Sequence, residues 1–254
     1  MQEDLAQVAH LLVEADLAVA LTGAGLSIDS GIPAFRGSQG LWERFDPMEY
    51  ASIEAFRADP VKVWGMLREL DALVLGARPN PAHQALARLE ELGQLAAVVT
   101  QNIDGLHQEA GSREVIEFHG SGRHLRCLDC GRRLEREQVN LEAQPPRCSC
   151  GGLIKPDVIF FGEAIPERAL MRSFALASAC GVMLVAGTSA MVAPASHLPV
   201  MAKRSGAVIV EINPEPSPLM SDIVDFVFPQ GAAQVLSQLA GLVEKELEQK
   251  GRGN

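Results

Sequence analysis

The sequence predicts a doubly wound α/β fold, a parallel sheet with helices against both faces. Two observations carry this. Five apolar runs of strand length, at 17–21, 96–100, 182–186, 208–212 and 226–228, recur at wide intervals. Segments of helical periodicity lie among them, and uninterrupted apolar strands alternating with helices belong to parallel sheets buried on both sides. A third observation limits the pattern: 38–78 and 119–156 do not follow the alternation.

Taken in order, Leu5, Val8, Ala9, Leu12 and Val13 share one face of a helix over 3–16. The strand at 17–21 runs into Thr22-Gly23-Ala24-Gly25, a glycine turn. The stretch 38–78 holds Trp42, Phe45, Tyr50, Phe56 and Trp64 at helical spacing and no clear strand. A helix at 82–92 precedes the strand at 96–100, a helix at 166–179 precedes 182–186, and a last helix covers 232–249. The charged tail, 244–254, is expected to fray.

With 254 residues, the chain forms one large domain or one with a sizeable insert. A hydrophobic fraction of 47% fills a core and excludes disorder, while Lys and Arg at 22 against Asp and Glu at 32 set the net charge at −10. So acidic a chain is disfavoured for nucleic-acid binding and favours basic partners such as lysine-rich peptides. The acidic N-terminus has no basic and apolar leader, and no run spans a membrane, so a cytoplasmic protein is expected.

Cysteine in a reducing compartment points to metal or core rather than to disulfides. Cys127-Leu128-Asp129-Cys130 and Cys148-Ser149-Cys150 give two pairs separated by 17 residues, in a segment poor in core residues. Two turns that each offer a thiolate pair satisfy tetrahedral zinc, and Gly131, Gly151 and Gly152 suit those turns. No open coordination position is implied, so the metal is structural. Cys180, in an apolar context, reads as a small core residue.

Polar groups gather at the predicted strand ends. Gly23-Ala24-Gly25 follows the first strand, where glycine lets backbone approach a pyrophosphate and the next helix offers its N-terminal amides. The third glycine of the usual dinucleotide pattern is absent, since Ile28 stands there. Gln101-Asn102-Ile103-Asp104 follows the second strand, Gly187-Thr188-Ser189 the third and Asn213-Pro214 the fourth, at the strand ends that line the crevice of an open α/β sheet. Solvated turns are the alternative for each alone. His119, just ahead of the cysteine segment where two subdomains should meet, is a candidate general base. His10 and His197 read as structural residues in apolar contexts, and His83 and His107 as helix-face or cap positions.

Together these segments resemble the sirtuin family of NAD-dependent protein lysine deacylases, in its compact bacterial form. The matching residues run in family order from Gly23-Ala24-Gly25-Leu26-Ser27 through Ser30-Gly31-Ile32-Pro33-Ala34-Phe35-Arg36 and 100–107 to Phe118-His119-Gly120. They continue with the four cysteines, 155–163, Gly187-Thr188-Ser189 and Ile212-Asn213. The resemblance implies a Rossmann-type domain over 1–37, 81–118 and 157–254, and a smaller domain made of a helical insert, 38–80, and a zinc ribbon, 119–156. It implies NAD as co-substrate, one structural zinc on Cys127, Cys130, Cys148 and Cys150, and acetyl-lysine proteins or peptides as partners of a monomer.

Carried over residue by residue, the resemblance assigns catalysis to His119 as base, with Asn102. It assigns NAD contacts to Thr22, Gly23, Ala24, Gly25, Phe35, Arg36, Gln101, Asn102, Ile103 and Asp104, and at the phosphate and adenosine end to Gly187, Thr188, Ser189, Asn213 and Ala232. Val158 and Phe161 match the walls of the acyl-lysine tunnel. The family's aspartate before Phe35 is Ala34 here, and the second cysteine pair is C-x-C. The Tyr-x-x-Arg pair of family members that prefer succinyl or malonyl lysine is replaced by Leu67 and Leu70, so deacetylation should exceed desuccinylation. Other readings are ADP-ribosyl transfer by the same NAD cleavage, a Rossmann oxidoreductase, and a nucleic-acid-binding zinc ribbon on Arg123, Arg126, Arg132, Arg133 and Arg136.

Overall fold

The computed structural model describes residues 2–35, 40–218 and 220–252. The chain begins with α1 (Gln2–Glu14) and β1 (Ala18–Thr22), then forms four helices, α2 (Leu41–Arg44), α3 (Pro47–Tyr50), α4 (Ile53–Ala58) and α5 (Pro60–Gly76). Next come α6 (Pro81–Glu91), β2 (Ala97–Thr100), α7 (Leu106–Glu109) and β3 (Val115–Glu117). The cysteine segment supplies β4 (Gly120–Cys127), β5 (Arg133–Glu135) and β6 (Ile154–Val158). The last part is α8 (Glu167–Ala179), β7 (Val182–Ala186), α9 (His197–Arg204), β8 (Val208–Ile212), β9 (Phe226–Phe228) and α10 (Ala232–Arg252).

The large sheet has six parallel strands in the order β3-β2-β1-β7-β8-β9. Numbering only these strands gives 3-2-1-4-5-6, the Rossmann order, with the reversal between β1 and β7. Both strands are buried at every position, as apolar runs covered on two faces must be. Leu5, Val8 and Leu12 of α1 pack on one face with α6 and α10, while Ala177, Leu198 and Ala202 of α8 and α9 cover the other.

Three expectations are corrected. The sheet has a sixth strand, β3, whose three residues pair with β2 and are too few to show a pattern in sequence. The tail does not fray at 244: α10 continues to Arg252, Leu247 packs against the core and Lys250 pairs with Glu14. After Gly23 the chain winds as a 3-10 helix over Ala24–Ser30 rather than opening a regular helix, and ends at Gly31 with φ 86°.

The small domain joins the helices of 41–76 to a three-stranded antiparallel sheet, β5-β4-β6. Its core mixes Ile53, Phe56, Val63, Trp64, Met66 and Leu67 with Leu125, Cys127, Cys148, Ile154 and Val158, and Trp64 Nε1 donates to the Ile154 carbonyl at 3.0 Å. β6 runs across position 156, so the ribbon's last strand continues into residues that wall the interdomain cavity.

Candidate active site

A cavity of about 670 Å³ lies where the two domains meet. Its polar half is built from the loops after β1, β2, β7 and β8, at the carboxyl ends of the strands flanking the reversal. Gly23, Ala24, Gly25, Gln101, Asn102, Ile103, Gly187, Thr188, Ser189 and Asn213 all line it, with Phe35 and His119.

The glycines are required here by a neighbouring loop. A Cβ on Gly25 would come within 2.8 Å of the Gly187 carbonyl oxygen, and one on Gly23 within 2.7 Å of Thr188 Cβ. Gly187, at φ 61°, would meet the Leu26 backbone nitrogen at 2.2 Å. The loops after β1 and β7 thus close on one another, tied by Gly25 N–H donating to Gly187 O at 2.8 Å.

Onto this base the β2 loop is hydrogen-bonded. Gln101 Nε2 donates to Thr188 Oγ1 at 2.9 Å, and Asn213 Nδ2 donates to the Thr188 carbonyl at 3.3 Å. Asn102 Nδ2 donates to Gly23 O at 3.1 Å and to Ser27 Oγ at 3.2 Å. These bonds fix the amide's orientation and leave Oδ1, buried, as an acceptor with no partner among the described residues. Such a group asks for a polar ligand, and a dinucleotide with its amide and hydroxyl donors fits it.

His119 stands beside this loop. Its Nδ1 lies 3.2 Å from the Gln101 carbonyl oxygen, which can only accept, so Nδ1 carries the proton and Nε2 keeps its lone pair. Burial pushes its pKa below the ordinary value, the bond to Gln101 opposing. The ring is therefore neutral at neutral pH, as a base must be.

Three assigned residues stand elsewhere. Thr22 lies beneath the cavity wall, donating to Thr100 Oγ1 and bonded to His107 Nε2, both at 2.9 Å. Asp104 accepts from Ser27 Oγ at 2.7 Å and from the Leu106 amide at 2.9 Å, holding the loop from behind. Ala232 is buried at the start of α10, apart from the lining residues. Arg36 lies outside the described residues.

The other half of the cavity is apolar. Val158 and Phe161 line it with Leu41, Trp42, Met66, Leu67 and Leu70. Arg68 turns away, its guanidinium donating to the carbonyls of Leu141 and Ala143 at 3.0 and 3.1 Å. Ala34 lines the cavity without a carboxylate.

The four cysteine sulfurs gather within 4.8 Å of one another, with Cys127 to Cys150 at 3.5 Å and Cys130 to Cys148 at 3.9 Å. Sulfurs bound tetrahedrally to zinc at about 2.3 Å lie ~3.8 Å apart, so the set fits one structural zinc. Gly131 and Gly151 take the left-handed turns after each pair, at φ 69° and 90°. Cys180 is buried, its thiol donating to the Ala177 carbonyl, and burial pushes its pKa up to about 11.

The Sir2 family profile matches residues 23–194. The chain belongs to the Sir2, or sirtuin, family. It is 46% identical over 241 residues to an NAD-dependent protein deacylase of Pyrococcus furiosus, covering 92% of this chain and 96% of that one. It is 48% identical over 242 residues to NAD-dependent protein deacylase 2 of Pyrobaculum aerophilum, covering 94% and 96%. A solved Sir2 homologue in complex with NAD matches with a TM-score of 0.89 at 44% identity, over 95% of this chain and 94% of that one.

Sequence reasoning missed several members of this site. Val192, Ala193 and Pro194 line the cavity from a loop with no periodic pattern, and Glu163 from another. His83 and His107, read as helix-face or cap positions, are buried, with rings edge to face at 4.9 Å. His83 does cap α6: its Nδ1 accepts from the Asn80 amide, and Asn80 three residues earlier was the available signal. His10 and His197 are exposed, and His10 pairs with Glu246.

Proposed function

We propose that the chain is an NAD-dependent protein lysine deacylase that transfers the acyl group of acyl-lysine to ADP-ribose. Family membership and relatives named for this activity support it. The observation that carries it is His119, a neutral imidazole whose Nε2 has no partner among the described residues, at the seam between a polar, strand-end half-cavity and an apolar one.

The two halves divide the work. Asn102, fixed by Gly23 and Ser27, offers Oδ1 to the nicotinamide side, while Gln101, Thr188 and Asn213 order the loops that take the rest of the dinucleotide. Val158, Phe161, Leu67 and Leu70 clamp the lysine methylenes and acyl group in a dry channel. There the acyl oxygen is held in line with the anomeric ribose carbon, which it attacks as nicotinamide leaves; an amide oxygen is a poor nucleophile, so positioning supplies much of the rate. His119 Nε2 then accepts the proton of a ribose hydroxyl, which adds to the acyl carbon. Water completes the transfer, giving free lysine and O-acetyl-ADP-ribose. The zinc takes no part in these steps and holds the ribbon.

The apolar half selects the acyl group. Among the described residues a carboxylate beside Leu67, Leu70 and Met66 would lose water without a charged partner, since Arg68 is committed to carbonyls elsewhere. Acetyl and other aliphatic acyl groups are the substrates. Among the described residues no helix is long and apolar enough to cross a membrane; a cytoplasmic location accords with thiolates that need a reducing compartment. The test is mass spectrometry of an acetyl-lysine peptide incubated with and without NAD. Deacetylated peptide, nicotinamide and O-acetyl-ADP-ribose are expected only with NAD; label from NAD remaining on protein would mean ADP-ribosyl transfer instead.

A further inference from the structure

Lys155 is 2% exposed, and the steps above make no use of it. Its ammonium lies 3.0 Å from Glu163 Oε2, donates to the carbonyls of Pro156 and Val158, and sits 4.7 Å from the centre of the Phe160 ring. Glu163 Oε2 also accepts from the Phe160 amide at 2.9 Å, and the Glu163 amide donates to the Phe160 carbonyl at 3.0 Å. The ion pair therefore ties β6 to a segment without regular structure, 159–163.

That segment meets three parts of the site. Residues 158–163 all line the cavity. The Ile159 amide donates to the carbonyl of His119 at 2.8 Å. The Phe161 amide donates to Ala51 O at 2.8 Å, and the Ile53 amide to Phe161 O at 3.0 Å, which joins the segment to the helical insert. One short stretch thus touches the base, the apolar wall and the insert that carries Leu67 and Leu70.

We propose that Lys155, acting through Glu163, is a positioning residue that holds 158–163 as the wall of the acyl-lysine channel and so sets affinity for the acylated peptide. This rests on the deacylase reading. A buried ion pair is weak support for stability, because well-packed apolar residues of similar volume often do as well or better. Its effect here is geometric: three acceptors converge on one ammonium and fix the path of the chain past Phe161. Desolvation pulls the Lys155 pKa down and Glu163 holds it up, as expected of a charge kept in place by its partners.

The test is steady-state kinetics of the full-length zinc-loaded chain with NAD and an acetyl-lysine peptide. Lys155→Met should raise the peptide KM by about tenfold or more, with the NAD KM and kcat changed by no more than about threefold. The double variant Lys155→Met/Glu163→Gln should keep the raised peptide KM. Its return to the wild-type value would mean that the defect was only an unpaired carboxylate, and would overturn the proposal, as would a folded Lys155→Met with unchanged peptide KM or with both KM values and kcat moved alike. Should Lys155→Met not fold, Glu163→Gln reads the same contact, with a raised peptide KM expected and an unchanged one overturning. Wild-type protein that releases no nicotinamide would instead refute the deacylase reading itself.

Discussion

The two domains that form the cavity hold their shapes by different means. Around the large sheet, α1, α6 and α10 bury one apolar face and α8 and α9 the other, so strands such as β1 and β7 have no exposed position. In the small domain the largest buried core residues come mainly from α4 and α5, while the cysteine segment adds Leu125, Ile154, Val158, the thiols and several half-buried leucines. The ribbon leans on a metal and on borrowed helices, whereas the sheet supports itself. The cavity divides along the same line: hydrogen-bonded polar groups on the self-supporting side, an apolar wall on the stapled side.

Removing the metal should break this comparison most visibly. Cys127→Ala, or chelation, should abolish zinc binding and turnover and remove amide exchange protection from β4 to β6, while β1 and β7 stay protected; structural zinc contributes on the order of 10 kcal/mol to isolated zinc modules. Loss of protection throughout the chain would mean that the domains share one fate. His119→Tyr tests the seam. Turnover should fall by about a hundredfold or more, the usual contribution of a general base, with zinc content and NAD binding retained.

The apolar half is sharpened by comparing acyl groups on one peptide. kcat/KM for succinyl-lysine should be about a hundredfold below that for acetyl-lysine, in line with the several kcal/mol of an unpaired desolvated carboxylate. Equal values would show a cation reaching the channel. A smaller effect concerns pH and His119. Burial disfavours its imidazolium, so the acid limb of kcat/KM should lie below the ordinary histidine value of about 6.5. A limb above that value would mean another group titrates.

The smallest expected effect belongs to the large domain alone. Burial lowers the pKa of His83 to about 4 and of His107 to about 3. The unfolded chain takes up protons near pH 6.5 and the folded one does not. Stability should therefore be full above that pH and decline below it, by roughly 1 kcal/mol per pH unit for each histidine. Urea melts between pH 7.5 and 5.5 read this, and an Asn in place of His83 should flatten the slope.

Much of this protein is legible in its sequence because the signals are local. The strands 182–186, 208–212 and 226–228 appear at the predicted residues, since an unbroken apolar run needs no partner to be recognised. The four cysteines were readable for a similar reason: thiolate pairs on short turns constrain geometry within a few residues. The polar residues after β1, β2, β7 and β8 were readable as a set because chain order places them at strand ends.

Tertiary structure decided what depends on distant segments meeting. The 3-2-1-4-5-6 order brings Gly187 against Gly25, so those glycines are required by the loop opposite. Thr22 is held by Thr100 and His107, and Asp104 by Ser27, although both adjoin residues that line the cavity. β3, too short for periodicity, exists only by pairing with β2. The burial of Lys155, His83 and His107 had no sequence signature, because composition places such residues at the surface and only a surrounding fold can supply their partners. Periodicity and spacing specify elements and ligand sets; burial and hydrogen-bond pairing belong to neighbours far away in the chain, and those decide which polar residues face a ligand and which hold the wall.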